Sequence, residues 1–433
     1  MLSLVVVLIA GQLAPPMRFL QPNDVSRLPI IGDVLTTIAP VGGAGGFSTA
    51  CACTNVTTAG GGAITWVRAG SATCAPLGLA TTGITTNSIA TCASNLPRVV
   101  SDGTANGLLF EKAGMNDALQ SEDLATTWTA SATITTDTTT SPFVSKISDA
   151  DTMTDGSAVA AQGVSQVITT SALRKHSFSC YVMAGSLSAG TISIVGTGNA
   201  AGDCSTAFSG LSGATYSRVS CYSTNAYAAG LTAVTVAITA GAAAANTGTL
   251  IVTGCQHESG DANHQGYVSS YNPTTTAAVT RVADTPTLPG SLFPAGGLSI
   301  SAYVTPEWVI GDLTVGTAIV EGQVGSASGA MVLFVSGFLR LQTLSGGSAN
   351  VSVVPSPVMA VGVTRKVGGV NAGGFSTLYE DGVQIGSTTA TNTLAGPWLA
   401  ATGLGHAPGA PGSSCDCIVS RMAWARTTGV NPQ

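Results

Sequence analysis

The stretch "TAVTVAITAG", residues 232–241, decides the fold: it is a run of Val, Ile and Thr that ends in Gly. Runs of this kind recur along the chain between clusters of Gly, Ser, Asn and Pro, and no long stretch keeps the 3.6-residue period of a helix. Runs spaced about 8 to 15 residues apart, with turn residues between them, are typical of antiparallel β-sandwiches. The sequence therefore predicts an all-β chain with little helix.

The chain is long and weakly charged. Its 433 residues exceed the ~250 to 300 residues at which a single hydrophobic core stops growing, so several domains are expected. Only 8% of the residues are charged, against roughly 25% in ordinary soluble domains, whereas 45% are hydrophobic. This hydrophobicity argues against disorder. The 15 Lys and Arg residues are spread thinly through a chain of net charge -6, which argues against nucleic-acid binding.

Domain boundaries are expected where the composition shifts. Residues 1–46 form an apolar N-terminal attachment region, residues 47–120 a β-rich region with four cysteines, residues 121–284 one run of strands, and residues 285–433 another. Pro and Gly in "TPTLPGSLFPAGG", residues 285–297, predict a linker before the last region. The Thr-rich "TASATITTDTTTSP", residues 129–142, is predicted to form strand.

The first ten residues, "MLSLVVVLIA", resemble the apolar part of a secretion signal, but no Lys or Arg precedes Arg18. We therefore interpret Leu2 to Ala10 as a buried strand or docking segment in preference to a signal peptide. The run is shorter than the about 20 apolar residues that cross a bilayer, so no membrane span is predicted.

The ten cysteines are an even set, which permits a disulfide framework in an oxidising compartment. An equal alternative is that the cysteines are buried as free thiols, which pack as small hydrophobic side chains. Zinc is less favoured, because the paired cysteines at 51 and 53 and at 415 and 417 lack the two- to four-residue gap of zinc knuckles. The possible disulfide cysteines are Cys51, Cys53, Cys74, Cys92, Cys180, Cys204, Cys221, Cys255, Cys415 and Cys417.

An ordered set of motifs covers residues 64–284. It runs from "ITWVRAGSAT" and "NLPR" through "GLLFEKAGMNDALQSEDLATTW", residues 107–128, to "GCQHESGDANHQGYVSSYNPTTTAAVTRVAD", residues 254–284. The set resembles a β-sandwich module of bacteriophage tail-fibre and other virion appendage proteins, a jelly roll similar to carbohydrate-binding modules. The matching residues include Arg68, Arg98, Glu111, Asn116, Ser121, Glu122, Trp128, Gln256, Glu258, Tyr271, Arg281 and Asp284.

This chain departs from the module's pattern in two places. Met115-Asn116-Asp117 replaces Thr-Asn-Leu, and His257 replaces a leucine in a longer closing turn. Residues 288–433 resemble a laminin-G or concanavalin-like sandwich, in which Asp381-Gly382 suits a two-residue hairpin turn because Gly accepts positive φ. The implied fold class is all-β, with tandem antiparallel β-sandwiches, a jelly roll plus a concanavalin-like one, after an N-terminal attachment region.

Chemistry-bearing side chains are few. His257 and His264 lie near Glu258 and Asp261, but the Ser, Gly, Asp and Asn between them predict a loop, not the helix of a His-Glu-x-x-His zinc site. The two histidines are therefore weak metal candidates, and no metal or cofactor is predicted. No carboxylate pair and no Gly-x-Ser-x-Gly elbow stands out, so an enzyme is not predicted.

Sugar binding requires only an aromatic ring and a few polar groups, and its candidates here are Trp308, Trp398 and Tyr379. The resemblance implies a structural component on the exterior of a bacteriophage virion, a tail fibre, spike or other appendage. It would bind other virion proteins through its N-terminal region, form a homo-oligomer, with a trimer favoured, and contact a host-surface polysaccharide. The alternatives are a capsid decoration protein, a polysaccharide depolymerase and a secreted bacterial adhesin.

Overall fold

The computed structural model describes residues 68, 72–73, 83–89, 91–92, 98–101, 106–170, 174–223, 225–241, 246–260, 268–288, 297–306, 317–323, 330–335, 339–344, 348–353, 360, 362–372, 375–389, 402–404, 415 and 417–427. The predicted attachment region 1–46 lies outside these residues, as do His264, Trp308, Trp398, Cys51, Cys53 and Cys74. All the regular elements of the described residues are β-strands. No helix in this part of the chain is long and apolar enough to cross a membrane.

The strands of the described residues are, in chain order, β1 (Ala72–Thr73), β2 (Thr91–Cys92), β3 (Val99–Ser101), β4 (Asn106–Phe110), β5 (Gly114–Asn116), β6 (Thr129–Ala130), β7 (Thr133–Thr139), β8 (Ala150–Asp155), β9 (Gly163–Thr169), β10 (His176–Ala184), β11 (Gly190–Thr197), β12 (Cys204–Phe208), β13 (Ser217–Tyr222), β14 (Ala233–Ala240), β15 (Gly248–Ser259), β16 (Val279–Arg281), β17 (Thr287–Leu288), β18 (Gly297–Pro306), β19 (Thr317–Gln323), β20 (Ala330–Val335), β21 (Leu339–Leu344), β22 (Ser348–Val353), β23 (Arg365–Ala372), β24 (Phe375–Glu380), β25 (Val383–Thr389), β26 (Thr402–Leu404) and β27 (Cys417–Thr427).

The middle of the chain forms a jelly roll. Sheet A has the strand order β13-β10-β15-β8-β7, and sheet B has the order β12-β11-β14-β9-β6. From β8 to β15, strands β8, β10, β13 and β15 enter sheet A, whereas β9, β11, β12 and β14 enter sheet B. Eight strands divided between two antiparallel sheets in this order are two Greek keys, which is the jelly-roll connection. The fold class predicted for this region is confirmed.

Alternation of buried and exposed residues explains why these strands pack as two layers. In β14, the strand within "TAVTVAITAG", Val234, Val236 and Ile238 are buried, whereas Thr235 and Thr239 are partly exposed. Successive strand residues point to opposite faces, so every second side chain enters the core between sheets A and B. The Thr-rich stretch at residues 129–142 forms β6 and β7, as predicted.

Strand β10 is an exception, because all nine of its residues are buried. Its outward-facing Tyr181 lies in a second apolar cluster with Ile84, Phe143 and Tyr271, outside sheet A. The rings of Phe143 and Tyr271 stack with centroids 4.3 Å apart. The backbone of Ile84 exchanges hydrogen bonds of 3.0 and 2.7 Å with Tyr216, so a segment that precedes the jelly roll covers this sheet.

Among the described residues, six cysteines are paired. Cys180 of β10 is bonded to Cys255 of the neighbouring β15. Cys204 of β12 is bonded to Cys221 of β13, and this bond joins the edge strands of sheets B and A. Cys415 is bonded to Cys417. For these six residues the structure favours the disulfide alternative over free thiols.

The C-terminal part forms a second sandwich of two larger sheets. Sheet C has the order β17-β26-β19-β20-β21-β22, and sheet D has the order β25-β24-β23-β18-β27-β4-β3. The two sheets meet where Leu341 of β21 lies so close to Gly369 of β23 that a Cβ there would be 2.5 Å from the leucine. Asp381 and Gly382 both have positive φ, 45° and 86°, and form the predicted turn between β24 and β25.

Strands β3 and β4 connect the two sandwiches. Both precede the jelly roll in the chain, yet β4 pairs with β27 of sheet D, with Phe110 opposite Cys417 and Leu108 opposite Val419. After the jelly roll, β17 returns to sheet C by pairing with β26. The jelly roll is therefore an insertion between strands of the concanavalin-like sandwich, and β3 and β4, which lie within the predicted 47–120 region, belong to that sandwich.

Candidate functional site

A network of buried charges lies where the chain enters and leaves the jelly roll. Arg98 donates to Glu111 and to Asp284, and its side chain is completely buried. Arg68 Nη1 lies 2.9 Å from Asp284 Oδ1, and Arg281 Nη1 lies 3.4 Å from Glu111 Oε2. All five residues belong to the motif set of the resemblance. The structure brings them together from segments more than 200 residues apart, since Arg68 and Asp284 are separated by 216 positions.

Glu111 is held as a carboxylate. The backbone N–H and the hydroxyl of Ser270 donate to it at 2.7 and 2.6 Å. Burial by itself would raise the pKa of Glu111, but the Arg281 and Arg98 guanidinium groups and Ser270 outweigh burial and lower the pKa to about 2. Its partners occupy the carboxylate, so this network stabilises the junction and leaves no oxygen for a ligand.

The closing motif "GCQHES" forms the end of β15, the last strand of the jelly roll. His257 is buried there, and its Nε2 lies 3.0 Å from Nδ1 of His176 on the neighbouring β10. On its other side, His257 Nδ1 lies 3.6 Å from Asp117 Oδ2. Within the described part of the chain, no group of three or more His, Cys, Asp or Glu side chains is arranged to hold a metal ion. His264, the other weak candidate, lies outside the described residues.

Asp117 opens onto a cleft of about 410 Å³ at the β9 edge of the jelly roll. Polar groups on its wall are the Asp117 carboxylate, the Gln166 amide and the hydroxyls of Thr127 and Thr169. Aliphatic groups complete the lining, which comprises Asp117, Leu119, Thr127, Gln166, Val167, Ile168, Thr169 and Ala278. A cleft that combines aliphatic surface with a few fixed hydrogen-bonding groups can hold a small polar organic ligand.

The wall of the cleft is rigid. Gln166 Oε1 accepts from the backbone N–H of Leu119 at 2.8 Å, and its Nε2 donates to the Leu119 carbonyl at 3.1 Å and to Thr127 Oγ1 at 3.0 Å. Trp128 also donates to the Leu119 carbonyl, at 3.1 Å, and is buried in the core as its motif position indicates. The loop that carries Leu119 is therefore fixed before any ligand arrives.

Of the aromatic candidates, Tyr379 belongs to the described residues, and it does not line the cleft. Tyr379 is half-buried in β24 of sheet D, where burial raises its pKa. Its neighbour Leu378 is completely buried, so alternation places Tyr379 on the opposite face of the sheet. Trp308 and Trp398, the other two aromatic candidates, lie outside the described residues.

Among the described carboxylates, Asp151 has a raised pKa, which is a property of general acids. Burial, with the negative charges of Asp123 and Asp137, raises its pKa to about 6 against the backbone donors that oppose the shift. Its Oδ2 accepts from the Leu124 N–H at 2.6 Å and its Oδ1 from the Asp137 N–H at 3.3 Å. With both oxygens engaged and the side chain buried, Asp151 anchors two loops and is not presented to a substrate.

We predict that Asp151 makes stability depend on pH. The pKa is raised from its ordinary 3.8 to about 6 in the folded chain, so the stabilisation is fully present below pH 3.8 and is lost as pH rises through 6. Between pH 4 and 7 the unfolding free energy of the natural chain should fall by up to about 3 kcal/mol relative to Asp151→Asn. Urea unfolding at a series of pH values measures this, and parallel curves for the two proteins would contradict it.

The fold and the site define an all-β protein that carries a jelly roll, inserted in a concanavalin-like sandwich, with a small polar cleft. No protein-family model matches the chain, and a search of curated proteins gave no match. Among solved structures, mouse laminin alpha1 chain, domains LG4-5, is 10% identical, covers 62% of this chain and 85% of its own length, and has a TM-score of 0.23. The N-terminal CBM22-1-CBM22-2 tandem domain from Paenibacillus barcinonensis Xyn10C is 10% identical. The match covers 73% of this chain and 99% of that domain pair, with a TM-score of 0.26. At these scores, the fold assignment rests on the strand order of the chain itself.

Proposed function

We propose that this chain is a non-catalytic structural protein on the exterior of a bacteriophage virion, and that its jelly roll binds a host-surface glycan. The observation that carries the glycan proposal is the cleft, where the Asp117 carboxylate and the Thr169 hydroxyl stand beside aliphatic side chains. The Gln166 amide and the Thr127 hydroxyl bond to the protein and hold the wall in place. Saccharides present hydroxyl groups together with C–H faces, which such a wall can hydrogen-bond and contact.

The virion part of the proposal is supported by the ordered motif set. Its charged residues are not scattered matches, because Arg68, Arg98, Glu111, Arg281 and Asp284 form one buried network. The N-terminal region 1–46 is the proposed attachment to other virion proteins, and a homo-oligomer is the proposed assembly.

A binding role fits the three buried carboxylates Glu111, Asp151 and Glu258 better than catalysis does. Hydrolysis of a glycoside needs two accessible carboxyl groups about 5 to 9.5 Å apart. Glu111, Asp151 and Glu258 are buried, and each accepts hydrogen bonds from the protein, including 2.7 Å from the Ser269 N–H to Glu258. A fall in viscosity of host polysaccharide on incubation with the chain would contradict the non-catalytic proposal.

The cleft should lose glycan binding when Val167 is replaced by arginine. Val167 is 67% exposed on the cleft wall, so the longer side chain fills the cleft without disturbing the core. We expect the Kd for glycans found on an array to rise about tenfold or more, a loss of at least ~1.4 kcal/mol. The matched control is Val159→Arg, because Val159 is 85% exposed and lies outside the cleft.

The same glycan array distinguishes the cleft from the aromatic candidates as the glycan site. Binding that survives Val167→Arg but is lost in Trp308→Ala, Trp398→Ala or Tyr379→Ala would move the glycan site to the C-terminal sandwich. The position and copy number of the chain in a virion reconstruction test the exterior-appendage proposal. Density on the capsid shell would favour a decoration protein instead.

A further inference from the structure

The cleft has a polar floor that reaches into the core. Asp117 lines the cleft with a side chain 14% exposed, and His257, completely buried, lies 3.6 Å behind it. His176 is also buried and lies 3.0 Å behind His257, with the two rings stacked at a centroid distance of 5.2 Å. Asp117, His257 and His176 therefore form a line from the ligand space to the interior, which we name the acid-imidazole line.

The backbone holds this line in place from both ends. The Asp117 N–H donates to the His257 carbonyl at 2.9 Å, and the His257 N–H donates to Asn116 Oδ1 at 3.0 Å. Asn116 in turn donates through Nδ2 to the carbonyls of Cys255 and Asn272, at 3.2 and 2.8 Å. Asp117 is consequently fixed to β15 and cannot swing away from the cleft without breaking these bonds.

His257 makes one hydrogen bond and one longer contact. Two facing ring nitrogens 3.0 Å apart need one hydrogen between them, so His257 Nε2 and His176 Nδ1 share a hydrogen bond. His257 Nδ1 faces Asp117 Oδ2 at 3.6 Å, which is beyond hydrogen-bond distance. The imidazole therefore backs one carboxylate oxygen without bonding to it, and the carboxylate can accept hydrogen bonds from a ligand.

The charge of the lining restricts what can bind. Of the eight lining residues, Asp117 bears the one charge, and none is Lys or Arg. A hydroxyl-rich, uncharged saccharide can donate to this carboxylate, whereas an acidic saccharide would place a second negative charge beside it without a cation. Like charges brought together in a binding site cost several kcal/mol.

We infer that the cleft selects uncharged saccharides over acidic ones, with Asp117 accepting hydrogen bonds from sugar hydroxyls and with His257 and His176 as positioning residues. This inference rests on the proposed function, because it names the ligand class of the same cleft. The selectivity is assigned to the Asp117 carboxylate, with the buried His257 and His176 behind it.

The test measures the Kd of the full chain for two oligosaccharides that differ in charge, a neutral hexose oligomer and its uronic-acid counterpart. We expect the neutral oligomer to bind at least about tenfold more tightly than the acidic one. Asp117→Asn should weaken binding of the neutral oligomer about 10- to 100-fold and should reduce the difference in Kd between the two oligomers. Asp381→Asn is the matched control, since Asp381 is an exposed carboxylate in the second sandwich, and it should change neither value.

The positioning role is tested at His257. His257→Leu should weaken neutral-oligomer binding as Asp117→Asn does, whereas His257→Asn keeps a donor near Asp117 and should restore most of the affinity. The double variant Asp117→Leu and His257→Leu replaces the polar contact by an apolar one, and it should remain folded in thermal unfolding but should not bind. Equal losses in His257→Leu and His257→Asn would show a merely structural role and overturn the positioning assignment.

The outcomes separate this inference from the proposed function. If neither oligomer binds, or if binding survives Val167→Arg, the glycan cleft itself is wrong, and the inference with it. If Val167→Arg abolishes binding but the acidic oligomer binds as well as the neutral one, or Asp117→Asn has no effect, only the selectivity inference is overturned.

Discussion

Replacing Arg98 with alanine is expected to lower the free energy of unfolding by about 3 to 5 kcal/mol, the largest single-residue effect we predict. Arg98 bridges Glu111 and Asp284, and all three side chains are buried. Without the guanidinium, two carboxylates remain in the interior with less compensation, since Arg68 and Arg281 reach only one each in the contacts described. Equilibrium denaturation by urea measures the change.

Lys146→Ala is the matched control for Arg98→Ala. Lys146 pairs with Asp149, but these side chains are 31% and 34% exposed, and pairs of this kind contribute about 0 to 1 kcal/mol. Arg98→Lys should fall between the two, because an ammonium group keeps the charge without the planar fork that reaches both carboxylates. Equal effects of Arg98→Ala and Lys146→Ala would contradict a role for the buried network.

Removing the disulfides of the jelly roll is the second large expected effect. The Cys180–Cys255 bond closes a separation of 75 residues, and the Cys204–Cys221 bond closes one of 17. Loop-closure entropy predicts stabilisations of about 4.5 and about 3 kcal/mol, respectively. The double alanine variants at each pair should lose roughly these amounts in urea unfolding.

The third pair supplies the control. Cys415 and Cys417 are separated by two positions, and so short a loop restricts the unfolded chain by only about 1 to 2 kcal/mol. Thiol alkylation followed by mass measurement under non-reducing conditions reports the pairing directly. Alkylation of Cys180 or Cys255 in the native, unreduced chain would contradict that disulfide.

Much of the fold could be predicted from local sequence. The run at residues 232–241 became β14 because alternate Val and Ile side chains can enter a core while Thr side chains remain outside. The Asp381-Gly382 turn was confirmed because its chemistry is contained in two residues. Gly254 to Ser259 form the end of β15, so His257, which the resemblance put in the closing turn, lies in a strand.

Contacts between distant segments could not be predicted in this way. The sequence of a short apolar strand such as β4 is equally compatible with the jelly roll and with sheet D. Its partner β27 lies about 300 residues further along the chain. The cleft likewise takes its residues from three separate segments, near 117, 166 and 278. A sequence-based search for aromatic rings passed over it, because its lining contains none.

One signal in the sequence did point to the cleft. The two departures from the module's pattern, Asp117 and His257, each replace a leucine, and the structure places them 3.6 Å apart. Two apolar positions that both become polar in one chain are expected to be neighbours, because a single polar substitution would leave a buried group without a partner. Neither departure by itself predicts a site.

The insertion of the jelly roll has a mechanical consequence. Tension applied between the N-terminal region and the C-terminus enters sheet D through β3 and β4 and leaves through β27, which is hydrogen-bonded to β4. The jelly roll departs after β4 and returns at β17, but the segment before β3 is hydrogen-bonded to it through Ile84 and Tyr216, so it shares this load. Tension would therefore load sheet A of the jelly roll as well as sheet D.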